Sequence, residues 1–168
     1  MWRPSPLTAL RRSIAALFPP SDRSPTPSSL FEGPGASREA GLYGEAVAAR
    51  FLRRHGIKIL LRNLRIEKNE IDLVCRDGDT LVFVEVKARR DTKYGQPSEF
   101  VDAMKRARLV RAAQLYLREL HRGRRRREKA EVLYRFDIVE VLLSPALPPE
   151  IRHIPDAFGI DPEREYRA

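Results

Sequence analysis

Residues 69–87, NEIDLVCRDGDTLVFVEVK, constrain this chain more than any other stretch. Two apolar runs flank Asp77-Gly78, and an Asp-Gly pair between such runs is the strongest short-range signal for a β-hairpin. Residues 81–86 are almost continuously apolar and β-branched, as in a strand buried on both faces. Glu85 and Lys87 interrupt that pattern. A buried charge without a partner is costly or neutralises itself, so something has to compensate these groups. With Asp77 and Gly78 as a two-residue turn, Arg76 stands opposite Asp79, Val74 opposite Leu81, Asp72 opposite Phe83 and Glu70 opposite Glu85. Alternation with period two then sends Asp72, Glu85 and Lys87 to one side of the sheet. Asp72 becomes the diagonal neighbour of Glu85, with Cβ atoms roughly 7 Å apart. A loop of odd length would flip the parity and separate the carboxylates.

Two carboxylates at that spacing can share a small hard cation, Mg²⁺ or Mn²⁺. Lys87 follows on the same face, placed to polarise a water or a phosphate oxygen. An Asp followed by Glu-x-Lys resembles the active-site motif of the restriction-endonuclease-like superfamily. The ordered set Gly41-x-x-Gly44-Glu45, Arg62-Asn63, Glu70-Ile71-Asp72-Leu73, Phe83-Val84-Glu85-Val86-Lys87, Arg135-Phe136-Asp137 and His153-Ile154-x-x-Ala157-Phe158 looks like the YraN family of small endonuclease-like bacterial proteins. Glu-x-Lys alone is a weak signal; the ordered set, over about residues 38–160, is a strong one. One departure is Asn69, where that family usually carries Gly; Asn tolerates a left-handed backbone. The resemblance implies an endonuclease-like fold, with Glu45 as a third acidic ligand over the metal site.

At 168 residues the chain allows one domain with a core large enough to fold alone. Lys plus Arg number 32 against 23 Asp plus Glu, a formal net charge of +9. That balance favours a polyanionic partner, nucleic acid first and an acidic membrane surface second; an Arg-rich proteome is the bland alternative. The single Cys75 excludes an intrachain disulfide and a Cys-rich zinc site, and fits a reducing, cytoplasmic compartment. It occupies an apolar strand position and reads as an inert core thiol. No apolar run is long enough to span a bilayer. Residues 1–36 are rich in Pro, Ser and Arg and read as a basic disordered tail, with a short amphipathic stretch over residues 7–18. Arg11-Arg12 is a faint export signal, but no small-residue cleavage site follows.

Ser37 reads as the N-cap of a helix that runs to about His55 and stops at Gly56, with Leu42, Ala46, Ala49 and Leu52 as its apolar stripe. Glu45 falls on that stripe, either as a metal ligand or as one half of a salt bridge. Gly41 and Gly44 let the helix approach the sheet. Residues 57–64 read as the first strand, ending near Arg62 and Asn63. After Lys87 a polar, basic loop supplies Arg89, Arg90 and Lys93 as phosphate contacts and Tyr94 as a stacking group; a solvated loop is the alternative. A longer helix over about residues 98–120 buries Val101, Leu109, Ala112, Ala113, Tyr116 and Leu120. Lys105 shares that side, either reaching the active site or snorkelling past the core edge. Arg106, Arg111 and Arg118 point outward, available to nucleic acid. The basic run 122–129 reads as solvated. Residues 132–142 form a strand in which Asp137 pairs with Arg135 or a helix residue rather than a metal. Residues 151–154 make a short edge strand on which His153 reads as a structural surface histidine, with a proton carrier as the alternative, and residues 161–168 form a charged tail.

The expected fold is α/β: a restriction-endonuclease-like single domain over residues 37–160, with a mixed β-sheet flanked by helices and the 132–142 strand parallel to a neighbour. The expected function is that of a metal-dependent nuclease-type protein acting on DNA or a structured nucleic acid. Asp72, Glu85 and Glu45 hold Mg²⁺ or Mn²⁺, Lys87 handles the attacking water, and Glu70 lies farther out. Arg89, Arg90, Lys93, Lys105 and Arg106 contact the nucleic acid. A homodimer is left open. The alternatives are a non-cleaving nucleic-acid-binding module of the same fold, and a structural protein whose acids pair with its many arginines.

Overall fold

The structure, a computed structural model, describes residues 30–31, 35–90, 103–122, 132–145 and 147–159. Its elements run α1 (Ala36–Arg54), β1 (Lys58–Ile66), β2 (Asn69–Asp77), β3 (Thr80–Arg89), α2 (Ala103–Arg122), β4 (Tyr134–Leu142) and β5 (Glu150–Phe158). The five strands form one sheet in sequence order. The pairs β1–β2, β2–β3 and β4–β5 are antiparallel, while β3–β4 is parallel, as the crossover through α2 requires. This is the mixed sheet with flanking helices of a restriction-endonuclease-like single domain. Among the described residues, no helix is long and apolar enough to cross a membrane.

One helix covers each face. Leu73, Cys75, Val82, Val84, Val139 and Val141 pack with Val47, Ala48, Ala49 and Leu52 of α1. Leu61, Val74, Leu81, Phe83 and Phe136 pack with Leu109, Ala112, Ala113 and Tyr116 of α2. Cys75 is fully buried, and burial pushes its thiol up to about 12, so it stays protonated and inert.

The stripe of α1 differs from the expected one. Ala40, Gly44, Val47, Ala48, Ala49 and Leu52 face the sheet, whereas Leu42 is 51% exposed. The reason is backbone proximity: a Cβ at Gly44 would run into the Cβ of Ala88 on β3. Small residues therefore line the contact, and the larger Leu42 is turned away. The helix start also differs. Gly35, not Ser37, occupies the N-cap position, and the Ser37 hydroxyl instead accepts a hydrogen bond from Arg90 Nη2 at 2.8 Å. Leu30, from the stretch expected to be tail, is buried, and Phe31 packs against the α1-side core. The packed body thus includes residues ahead of 37; residues 1–29 and 161–168 lie outside the described residues. The edge strand β5 is nine residues long rather than four, and Pro155 sits on it where no ladder donor is required.

Candidate active site

The hairpin turn sets the site's geometry. Asp77 pairs with Thr80, so the two-residue loop is Gly78-Asp79 rather than Asp77-Gly78, and Gly78 takes a φ of 54° that suits glycine. Val74 pairs with Phe83 and Leu73 with Val84. The register is thus shifted by two residues from the expected one, which preserves the parity. Asp72 and Glu85 are the next residues beyond the last pair, Leu73 and Val84, and fall on the same face of the sheet. Backbone pairing of β2 with β3 ends at Leu73/Val84, and the Asp72 carboxylate takes over: its Oδ2 accepts a hydrogen bond from the Val86 N–H at 2.7 Å. Asn69 opens β2 without a left-handed backbone; in the β1–β2 connection that conformation belongs to Glu67, at φ 55°.

The electrostatics are those of crowded acids. Glu85 is only 2% exposed. Burial, together with the neighbouring Glu85 charge, pushes the Asp72 carboxyl up to about 7, against the single Val86 hydrogen bond. Glu45, reaching in from α1, is also raised: burial acts first and Glu70 and Glu85 add to it, while a hydrogen bond from Asn63 and the charge of Arg62 oppose it. Asn63 adopts a φ of 49°, which Asn tolerates better than most residues. Lys87 is lowered by burial and by Arg89, a direction that favours a proton acceptor, with Glu85 and Glu140 pulling the other way.

As the side chains stand, no three His, Cys, Asp or Glu groups among the described residues lie close enough to enclose an ion. A cationic group already stands at Glu85: Lys105 of α2 forms an ion pair with its Oε1. Burial works to lower the Lys105 ammonium, but the hydrogen bond to Glu85 and the charges of Glu85, Asp72 and Glu70 outweigh it, and its pKa is raised.

The expected nucleic-acid contacts divide. Lys105 does reach the acidic cluster. Arg90 is engaged elsewhere, its guanidinium bridging the Leu30 carbonyl at 3.4 Å and the Ser37 hydroxyl. Arg106 lies over the Phe158 ring, 5.8 Å from its centroid. Arg89 sits at the end of β3 and acts electrostatically on Lys87. Lys93 and Tyr94 lie outside the described residues. Sequence reasoning passed over Glu140, which pairs with Lys87 in the β3–β4 register and has a buried Oε2 with no hydrogen-bond partner. Its signal was faint, because one acid in an alternating strand reads as a solvent-facing residue.

On the α1 side of the sheet, Asp137 is fully buried and saturated with partners. Arg135 Nε and Nη2 donate to its two oxygens at 2.9 and 3.2 Å, His153 Nε2 lies 2.8 Å from Oδ2, and the Asp156 N–H donates to Oδ1 at 3.0 Å. Arg135 Nη2 also donates to Asp77 at 2.9 Å. The pairing of Asp137 with Arg135 is as expected, whereas His153, expected at the surface, has a side chain only 18% exposed because it turns in against Asp137.

Residues 44–141 match the profile of the family described as "Uncharacterised protein family UPF0102". The chain belongs to the UPF0102 family. Among its relatives, a UPF0102 protein of Syntrophomonas wolfei is 43% identical over 122 residues, covering 73% of this chain and 99% of that protein. One from Symbiobacterium thermophilum is 45% identical over 122 residues, covering 73% and 98%. One from Nocardia farcinica is 41% identical over 124 residues, covering 74% and 92%. The span matched to UPF0102 holds Glu45, Asn63, Asp72, Glu85, Lys87, Lys105 and Asp137, and ends before His153.

Proposed function

We propose that this chain is a metal-dependent nuclease-type protein that binds DNA or a structured nucleic acid and hydrolyses phosphodiester bonds. The observation that carries the reading is the Asp72–Glu85 pair: a half-buried and a fully buried carboxylate that act on each other's charge where β2 and β3 part, with Lys87 two residues farther along β3. A purely structural pair of this kind is unfavourable, because burial and mutual repulsion both oppose its ionisation. The donor chemistry fits Mg²⁺ or Mn²⁺, which prefer carboxylate oxygens. Asp72 and Glu85 would hold the ion, with Glu45 as the further acid steadied by Asn63. A divalent ion so held supplies a bound water of lowered pKa and positive charge for the phosphate. Lys87, its pKa lowered by burial, orients the attacking water and accepts its proton. The formal charge of +9, with Arg111 and Arg118 exposed on α2, suits a polyanionic substrate. A reducing, cytoplasmic setting accords with the single buried thiol.

The test is a panel of duplex, single-stranded and branched DNA and of RNA, each incubated with Mg²⁺ or Mn²⁺, wild type against Glu85→Gln. Cleavage by the wild type and none by the variant is the expected result. Binding without cleavage by either would leave the non-cleaving module. Equal cleavage by both would sink the assignment of Glu85.

A further inference from the structure

Lys105 occupies the place where the metal reading needs a cation. Its ammonium meets Glu85 Oε1, an oxygen with no other hydrogen-bond partner. The two ends of the pair differ sharply in environment: the Glu85 side chain is 2% exposed, the Lys105 side chain 56%. The carboxylate is thus fixed inside the protein, while the lysine can leave by rotating its four-carbon stem into water. Lys105 also feels the charges of Asp72 and Glu70, so it serves the whole acidic cluster.

An ammonium and a divalent ion compete for the same carboxylate lone pairs, and two cations at contact distance repel one another. We propose that Lys105 is the resident counterion of this site, exchanged at Glu85 for a divalent metal ion, and that the exchange releases its ammonium to a phosphate of the bound nucleic acid. The inference rests on the metal-site reading above and adds a residue that links metal loading to substrate binding. The metal-free fold keeps its buried acids because a lysine partly neutralises them. Metal affinity is correspondingly reduced by the contact that must be broken. Once displaced from Glu85, Lys105 would lose its one direct ion pair, and a phosphate oxygen becomes a natural partner for it. Metal and nucleic acid then bind cooperatively, each raising the affinity for the other by the same factor.

The experiment is a calorimetric titration of Mn²⁺ into full-length wild type, Lys105→Gln and Lys105→Arg. It is paired with the affinity of a labelled, cleavage-resistant phosphorothioate DNA duplex with and without Mn²⁺. Lys105→Gln should bind Mn²⁺ roughly threefold to tenfold more tightly than wild type, as expected when a half-exposed competing ion pair is removed. Lys105→Arg, which keeps the charge, should bind it no more tightly than wild type. Mn²⁺ should strengthen duplex binding more in the wild type than in Lys105→Gln. If the wild type binds Mn²⁺ and Lys105→Gln binds it equally or more weakly, the exchange is wrong and the metal site stands. If neither binds Mn²⁺, the metal reading falls and takes the exchange with it. Equal enhancement of duplex binding in both proteins overturns the release to phosphate.

Discussion

Asp137 and Asp72 are both withdrawn from water in the same sheet, yet their chemistry diverges. Asp137 accepts two hydrogen bonds from Arg135 and one from the Asp156 N–H, and His153 completes its shell. Burial pushes its carboxyl up, but His153, Arg135 and the Asp156 N–H overcome that and hold it below its ordinary value. Asp72 has one backbone donor and a second buried carboxylate beside it, and it is pushed up to about 7. Burial alone therefore does not mark a reactive acid; the supply of partners does. The Asp137 centre ties β4 to β5 and, through Arg135 and Asp77, to the end of β2. The Asp72 centre holds β2 to β3 by one hydrogen bond to the Val86 N–H and α2 to β3 by one half-exposed ion pair, and it has no such saturated shell.

The sharpest break between the two centres should appear in metal binding and chemistry. Asp72→Asn should lose cleavage by on the order of a hundredfold or more, the scale seen when one charge-stabilising group is removed from an active site. It should also lose tight Mn²⁺ binding, while Asp137→Asn retains it. Mn²⁺ titration of both variants is the check, and loss of binding in Asp137→Asn alone would reverse the assignment of roles.

Stability should show the opposite order. Asp137→Ala leaves Arg135 and His153 facing an empty position and should cost about 3–5 kcal/mol in denaturant unfolding. Glu85→Gln in metal-free protein should be neutral, or stabilising by about 1 kcal/mol, because it relieves Asp72 and leaves only a half-exposed Lys105 without its partner. A strongly destabilised Glu85→Gln whose wild-type parent ignores Mn²⁺ would make the acidic cluster structural.

The pH dependence separates the centres by sign. The Asp72 carboxyl sits near 7 when folded and near 3.9 when unfolded. The unfolded chain therefore releases this proton first, and metal-free stability falls as pH rises from about 4 to about 7, by an amount on the order of a few kcal/mol. Asp137 is depressed, so its contribution is present above about pH 4 and is lost as the pH falls through its folded value. Thermal melts across this range should show Asp72→Asn flattening the neutral decline and Asp137→Asn flattening the acid arm. A wild-type curve without a neutral decline would contradict the raised Asp72.

The smallest effect concerns a support. Asn63→Ala removes the hydrogen bond that steadies Glu45 and should weaken Mn²⁺ binding by about two- to tenfold, the range of one hydrogen bond. No change at all would place Glu45 outside the metal's reach.

Much of this arrangement was legible before any coordinates. The hairpin, the parity of Asp72, Glu85 and Lys87 and the flanking helices follow from apolar periodicity and an Asp-Gly pair, and the parallel return of β4 follows from the helical crossover that precedes it. The turn falls one residue later than the Asp-Gly pair suggests, which moves the pairing register by two, and alternation forgives an even shift because it keeps every side chain on its face. The displacement has a distant correlate: with Asp77 on β2 rather than in the loop, its carboxylate meets Arg135 from β4. The α1 stripe was misjudged for a similar reason. Leu42 looked like core, but the close approach of Gly44 to Ala88 selected the face with the smallest residues.

What the chain determined alone is local: which residues alternate, where strands turn, and that acids fall within a strand otherwise fit for burial. Those properties depend on backbone periodicity and need no knowledge of distant segments. Which acid received partners was decided only by the tertiary structure. His153 reaches Asp137 from 16 residues away on the edge strand β5, and Lys105 reaches Glu85 from the crossover helix. Neither meeting is encoded in spacing, because each depends on how an element packs across the sheet. That packing leaves Asp137 saturated and Asp72 crowded by a second acid, and so separates a structural carboxylate from one disposed toward a cation.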